Sequence, residues 1–119
     1  MIYFFDTTAL IHLFEGKESY ENYYDSEIII SWLNLVEFDY YCIKTNRKDR
    51  KTLFKYLKDF CIAIDDETVH LSNEFRYFHK QRDISYVDAI GYCLAKKNKL
   101  KFLTDDTAFK DLQNVEFVQ

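Results

Sequence analysis

The sequence predicts an α/β protein, a three-layer α/β/α sandwich built on a mostly parallel five-stranded sheet. Two observations lead there. Short apolar runs alternate with longer amphipathic stretches from end to end, the rhythm of strands joined by crossover helices. The runs are also apolar throughout rather than at alternate positions, which suits strands covered by helices on both faces. A length of 119 residues, 48% of them hydrophobic, fits a single domain spanning residues 1–119 with a core of its own.

Each element has a local reason. Ile2-Tyr3-Phe4-Phe5 is a continuous apolar run, and the Asp6-Thr7-Thr8 that ends it can cap a helix over residues 9–14. Glu27 leads into the β-branched triplet Ile28-Ile29-Ile30, a buried strand. A helix follows Ser31-Trp32-Leu33-Asn34 to residue 44, and beyond a charged turn a second covers 51–60. Residues 61–64 form the third strand, Asp65-Asp66 precede a helix over 67–80, and Ser85 opens another to residue 98. The last strands are 101–104 and 115–118, with a short helix over 108–112 between them. Right-handed crossovers place the strand C-termini along one edge, where open parallel sheets bind ligands. If the first and fourth strands are neighbours, Asp6 and the Asp105-Asp106 pair converge there.

Composition removes several function classes. Gly16 and Gly91 are the only glycines and lie too far apart to write either glycine-rich phosphate loop. A formal charge of -4 has the wrong sign for a protein that coats nucleic acid by counterion release. The three cysteines are an odd number beside apolar neighbours, which points to free buried thiols in a reducing compartment. No C-x-x-C occurs, and His12, His70 and His79 have no partner at ligand spacing, so zinc is unsupported. The chain opens without a basic signal region, and no window nears the ~20 apolar residues of a membrane span. A cytoplasmic protein without membrane contact is expected.

Four acids stand out by context. Asp6 directly follows an apolar strand, and Glu37 lies in a stretch whose only other charge is Asp39. Asp88 is the sole charge between Ile84 and Ala95, and Asp106 ends Leu103-Thr104-Asp105-Asp106. A carboxylate in apolar surroundings loses solvation and requires hydrogen bonds, a cation or a proton. Capping is the plain explanation: Ser85-Tyr86-Val87-Asp88 fits a capping box, Asn34-Leu35-Val36-Glu37 resembles one, and Asp6, Asp105 and Asp106 suit N-caps. Capping does not predict that all should gather at one end of the sheet. Convergent carboxylates without His or Cys favour Mg²⁺ or Mn²⁺, and the associated chemistry is phosphodiester hydrolysis. A serine triad has no G-x-S-x-G elbow to sit on.

These residues resemble the motif set of PIN domains. Asp6-Thr7-Thr8-Ala9-Leu10-Ile11 is similar to their D-T-[NS]-x-[LI]-I opening, and Leu33-Asn34-Leu35-Val36-Glu37 to their second acidic helix. Ser85-Tyr86-Val87-Asp88-Ala89-Ile90 is similar to the third motif, and Leu103-Thr104-Asp105-Asp106-Thr107-Ala108-Phe109 to the fourth, T-x-D-x-x-F. The resemblance implies a single PIN-like domain and, at this length, a VapC-like toxin of a type II toxin-antitoxin pair. It further implies a Mg²⁺- or Mn²⁺-dependent endoribonuclease that cuts a structured RNA, a homodimer, and a cognate antitoxin whose tail occupies the active-site groove. On that basis Asp6, Glu37, Asp88 and Asp106 hold one or two metal ions, Asp105 is a further candidate ligand, and Thr8 and Thr104 orient the acids. Three departures from the family pattern matter. Thr8 replaces the usual Asn or Ser, Tyr41 and Cys42 stand where a glycine often follows the second acid, and Asp105 adds an acid beside Asp106.

Candidate RNA contacts are the cations Lys44, Arg47, Lys48, Arg50 and Lys51. Tyrosines in Tyr20-Glu21-Asn22-Tyr23-Tyr24 could stack unpaired bases or meet the antitoxin. Two other functions compete with the nuclease. One is a catalytically inactive interaction module whose acids are only caps. The other is an aspartate-based phosphotransfer domain, which fits worse because Thr8 stands where a dehalogenase-type site needs its second acid and Asp88 where a receiver needs none.

Overall fold

The computed structural model describes residues 1–119. Its strands are β1 (Ile2–Phe5), β2 (Glu27–Ser31), β3 (Cys61–Ile62), β4 (Lys101–Thr104) and β5 (Val115–Phe117). The helices are α1 (Thr7–Glu15), α2 (Trp32–Lys44), α3 (Arg50–Lys58), α4 (Asp66–Phe78) and α5 (Tyr86–Lys97). Every strand pair is parallel, in the order β3-β2-β1-β4-β5, so the sheet is wholly parallel. Chain direction across the sheet reverses at β1, which makes the C-terminal end of β1 and β4 the switch point.

Alternation along β1 divides the core. Tyr3 and Phe5 pack with Leu10, Leu35, Phe38 and Leu57 of α1, α2 and α3, while Phe4 packs with Phe102, Tyr92, Leu94 and Phe109 under α5. The partly buried Phe75 brings α4 onto that second face. Helices therefore cover both faces, as the unbroken apolar strands require.

Several boundaries differ from expectation for local reasons. Helix α2 begins at Trp32, because Ser31 accepts from Asn34 N and Asn34 Oδ1 accepts from Ser31 N at 2.9 Å, a complete capping box. Glu37 is therefore no cap. Strand β3 is an edge strand of two residues, held only by the Ile30–Cys61 and Ser31–Ile62 pairs. The expected helix over 108–112 is a single 3-10 turn, Thr107–Phe109, capped by Asp106. Another such turn, Glu18–Tyr23, buries Tyr20 in the core, and the Tyr23 hydroxyl donates to Glu116 Oε2 at 2.8 Å. Of the three tyrosines there, Tyr20 is buried, so base stacking by it is excluded; Tyr23 is half-buried and Tyr24 exposed. The three cysteines are free. No helix is long and apolar enough to cross a membrane.

The position of α5 depends on a glycine. A Cβ on Gly91 would stand 2.8 Å from Phe4 Cε1 and 3.2 Å from Phe102 Cε1, inside a fully buried aromatic cluster. Elsewhere in a helix, glycine to alanine gains about 1 kcal/mol. Here overpacking, typically about 1–3 kcal/mol, opposes that gain. Gly91→Ala should lower the melting temperature; a higher one would mean that α5 does not lie this close to β1 and β4.

Candidate active site

The β1–β4 register sets Phe5 opposite Leu103, and Asp6 N donates to Leu103 O at 3.1 Å just beyond it. Asp6 and the Thr104–Asp106 segment therefore leave the sheet side by side. Asp6 is 3% exposed. Its Oδ1 accepts from Ala9 N at 2.7 Å, which caps α1, and its Oδ2 accepts from the Thr104 hydroxyl. That hydroxyl in turn accepts from Asp106 N at 3.0 Å, so Thr104 ties the first and fourth motifs together.

Glu37 and Asp88 arrive on helices. Glu37 lies on the exposed face of α2, one turn beyond the capping box, and accepts from the Thr7 hydroxyl. Thr7 is itself held by Asn34 Nδ2, which donates to it at 3.1 Å. The half-buried Asp88 sits in the first turn of α5, where its N–H donates to Ser85 Oγ at 3.1 Å. Glu37 and Asp88 face a common cleft of about 570 Å³, whose wall includes Thr7, Thr8, Tyr40 and Lys44.

Electrostatics records how these acids are arranged. Burial pushes the Asp6 carboxyl up to about 7, against the hydrogen bonds from Thr104 and Ala9, and the charges on Asp88 and Asp105 raise it further. Burial likewise raises Asp88 to about 6, with Asp106 and then Glu37 adding to it while Ser85 opposes. Asp88 is thus within electrostatic reach of all three other acids. No Lys, Arg or His lies within ion-pair distance of any of the four. In this arrangement no three Asp, Glu, His or Cys side chains stand close enough to ligate one ion together. The donor set is carboxylate oxygen with uncompensated charge, which fits a hard divalent cation that keeps part of its water.

The remaining expected positions divide. Asp105 turns toward α1, with Oδ2 3.0 Å from His12 Nδ1, whereas Asp106 is the acid coupled to Asp88. Thr8 lines the cleft without bonding an acid; Thr7 makes that contact instead. Arg47 bonds Asp49 through two nitrogens, and Arg50 bonds Asp39 in the same way, so both are committed within the chain. Lys44 faces the cleft, and Lys48 and Lys51 are exposed. Sequence reasoning missed Thr7, Asn34 and His12. The Ser31-x-x-Asn34 spacing was a usable signal for Asn34, but nothing local marks Thr7 over Thr8.

A raised carboxyl has a definite sign in stability. Between about pH 4 and pH 7 folded Asp6 keeps a proton that the unfolded chain releases, so its contribution to stability is lost as pH rises through that window. In excess chelator the melting temperature should fall from about pH 5 to about pH 8, and Asp6→Asn should flatten the fall and raise stability at the upper end. A variant equally destabilised at both ends would contradict this account of Asp6.

The PIN domain family matches residues 3–115. Among curated proteins no sequence matches. Of solved structures, a toxin-antitoxin complex from Klebsiella pneumoniae is similar at a TM-score of 0.77 and 24% identity, over 96% of this chain and 95% of that one. VapBC2 from Rickettsia felis, bound to a DNA fragment from its promoter, is similar at 0.71 and 20% identity, over 98% and 97%. VapBC-1 from nontypeable Haemophilus influenzae is similar at 0.73 and 15% identity, over 98% and 96%. With the family match spanning nearly the whole chain and its acidic motifs at the switch point, the chain belongs to the PIN domain family.

Proposed function

We propose that this chain is a metal-dependent endoribonuclease, the toxin of a type II toxin-antitoxin pair, with Asp6, Glu37, Asp88 and Asp106 as its ion-binding acids. The observation that carries this reading is that Asp6, Glu37 and Asp106, from three separate motifs, each lie within electrostatic reach of Asp88 from a fourth, and that none of the four pairs with a cation of the chain. PIN nucleases typically use divalent metal ions, and the structural neighbours named above are toxin-antitoxin complexes. Those neighbours also support an antitoxin partner; a homodimer and a cytoplasmic setting belong to the proposal through the family resemblance alone.

Bound Mg²⁺ or Mn²⁺ would supply the positive charge that a scissile phosphate meets and the means to activate water. Everything else falls to the chain. Thr104 and Ala9 N fix both oxygens of Asp6, so this acid is oriented before any ligand arrives. Thr7, itself held by Asn34, aims Glu37 into the cleft. Asp6, pushed up to about 7, is partly protonated at neutrality, and Asp88, at about 6, takes up its proton just below it; both must be ionised to hold a cation, which couples ion affinity to pH. Lys44 offers the cleft an ammonium for a neighbouring phosphate.

Cleavage of total RNA in Mg²⁺ or Mn²⁺ tests the reading. Asp88→Asn should reduce the rate by about two orders of magnitude or more, as loss of an ion ligand does, with circular dichroism unchanged. Full activity in that variant, or in excess chelator, would refute the metal-dependent mechanism.

A further inference from the structure

A chain of charge -4 that binds a polyanion needs cations beside its acids, and three of its four arginines are committed to acids of the chain. Arg82 donates to Ala108 O and Asp111, as Arg47 and Arg50 do to their own acids. Arg76 and Lys80 make no ion pair. They line a cavity of about 320 Å³ together with Tyr77, Asp83, Ile84 and Tyr86. Ile84 and Tyr86 flank Ser85, which lines the carboxylate cleft, so the two hollows share one wall at the entry to α5.

The chemistry of this cavity is specific. Arg76 lies over the Tyr86 ring with Cζ 3.7 Å from its centroid. Its Nε donates to Ile84 O at 2.8 Å, which fixes the guanidinium and leaves its terminal N–H groups without a partner in the chain. Lys80 Nζ stands 5.0 Å from the Tyr77 ring centroid. Tyr86 is 58% exposed and Tyr77 66%. Asp83 is the one carboxylate in the lining and pairs with neither cation. Exposed aromatic rings, each carrying on one side a cation without an ion pair, are what single-stranded nucleic acid binds, through base stacking on the ring or the guanidinium plane and through phosphate contact. The same pairing recurs across the acids, where Tyr40 and Lys44 line the cleft with Lys44 Nζ 5.3 Å from the ring centroid. Apart from its rings the cavity offers a protein partner little apolar surface, since Ile84 is buried.

We propose that the Arg76, Tyr86 and Lys80 cavity is a subsite for a nucleotide flanking the scissile phosphate, so that a single RNA strand runs from Tyr40 and Lys44 across Asp88 to Tyr86. The placement rests on the nuclease function proposed above; the binding can be measured apart from it. Fluorescence anisotropy of a labelled single-stranded RNA of about 12 nucleotides, in excess chelator so that nothing is cut, reads affinity alone. Tyr86→Ala and Lys80→Ala should each weaken binding about fivefold or more. Lys80→Ala should also lower the slope of log affinity against log salt by about one, whereas Arg76→Lys should weaken binding with the slope retained. Lys110→Ala, which removes a cation beside Phe117, should leave affinity unchanged. Unchanged affinity in the Tyr86→Ala, Lys80→Ala double variant overturns the subsite and returns this surface to a protein partner. An equal loss in Lys110→Ala, or no binding by the parent chain, overturns it too. If Tyr86→Ala does not fold, Lys80→Ala at its exposed position carries the test alone. A parent chain that binds in this pattern yet cuts nothing when Mg²⁺ or Mn²⁺ is restored contradicts the nuclease function and upholds the RNA subsite.

Discussion

The parallel pairing of β1 with β4 is the constraint on which the site depends. Asp6 and Thr104 lie 98 positions apart in the chain, yet the register that sets Phe5 against Leu103 makes them neighbours. Asp6 N completes the ladder by donating to Leu103 O, and the Thr104 hydroxyl closes the other side by donating to Asp6 and accepting from Asp106 N. These bonds hold a buried carboxylate in one orientation. The pairing in turn needs α5 close against both strands, and Gly91 permits that approach. Asp88 reaches the edge because α5 starts there.

Gathering acids in this way works against stability. Burial is the largest cause of the raised proton affinity of both Asp6 and Asp88; the charge on Asp88 adds to it at Asp6, and those on Asp106 and Glu37 add to it at Asp88. A fold selected only for stability would place a lysine or arginine among them. Such conflict between local stability and arrangement is common where a site awaits a ligand. Asp39, Asp65 and Asp111, in contrast, are all matched by cations of the chain, which lower their carboxyls from the ordinary value, Asp65 the most. Burial without a cation sets Asp6 and Asp88 apart from these paired acids more sharply than total charge does.

Much of this was legible in the sequence because it is local. Continuous apolar runs gave away five strands, and Asp6, Asp65 and Ser85 signalled helix starts that they do cap. The strand order was not legible, since β1 pairs with β4 through contacts spanning most of the chain. A parallel sheet placed the strand C-termini at one edge, so the acids would meet if β1 and β4 were neighbours; the motif order, through its resemblance to a family, supplied that condition. Glu37 illustrates the limit: an apolar neighbourhood in sequence placed it among buried acids, but its helical phase leaves it exposed, and its capping role belongs to Ser31 and Asn34. Arg47 and Arg50 show the same limit for charge, because a cation's availability depends on partners that only the fold brings near. Arg76 and Tyr86 lie ten positions apart and announced nothing until α4 and α5 stood side by side.

On the function proposed above, these acids form one cation site, and the ion displaces their protons. Calorimetric titration of Mn²⁺ into the metal-free protein at about pH 6 and about pH 8, in buffers of differing ionisation enthalpy, tests it directly. The account predicts saturable binding that is tighter at the higher pH, with proton release that diminishes in Asp6→Asn. Absence of saturable binding, or binding with no proton release and no change in that variant, would contradict it.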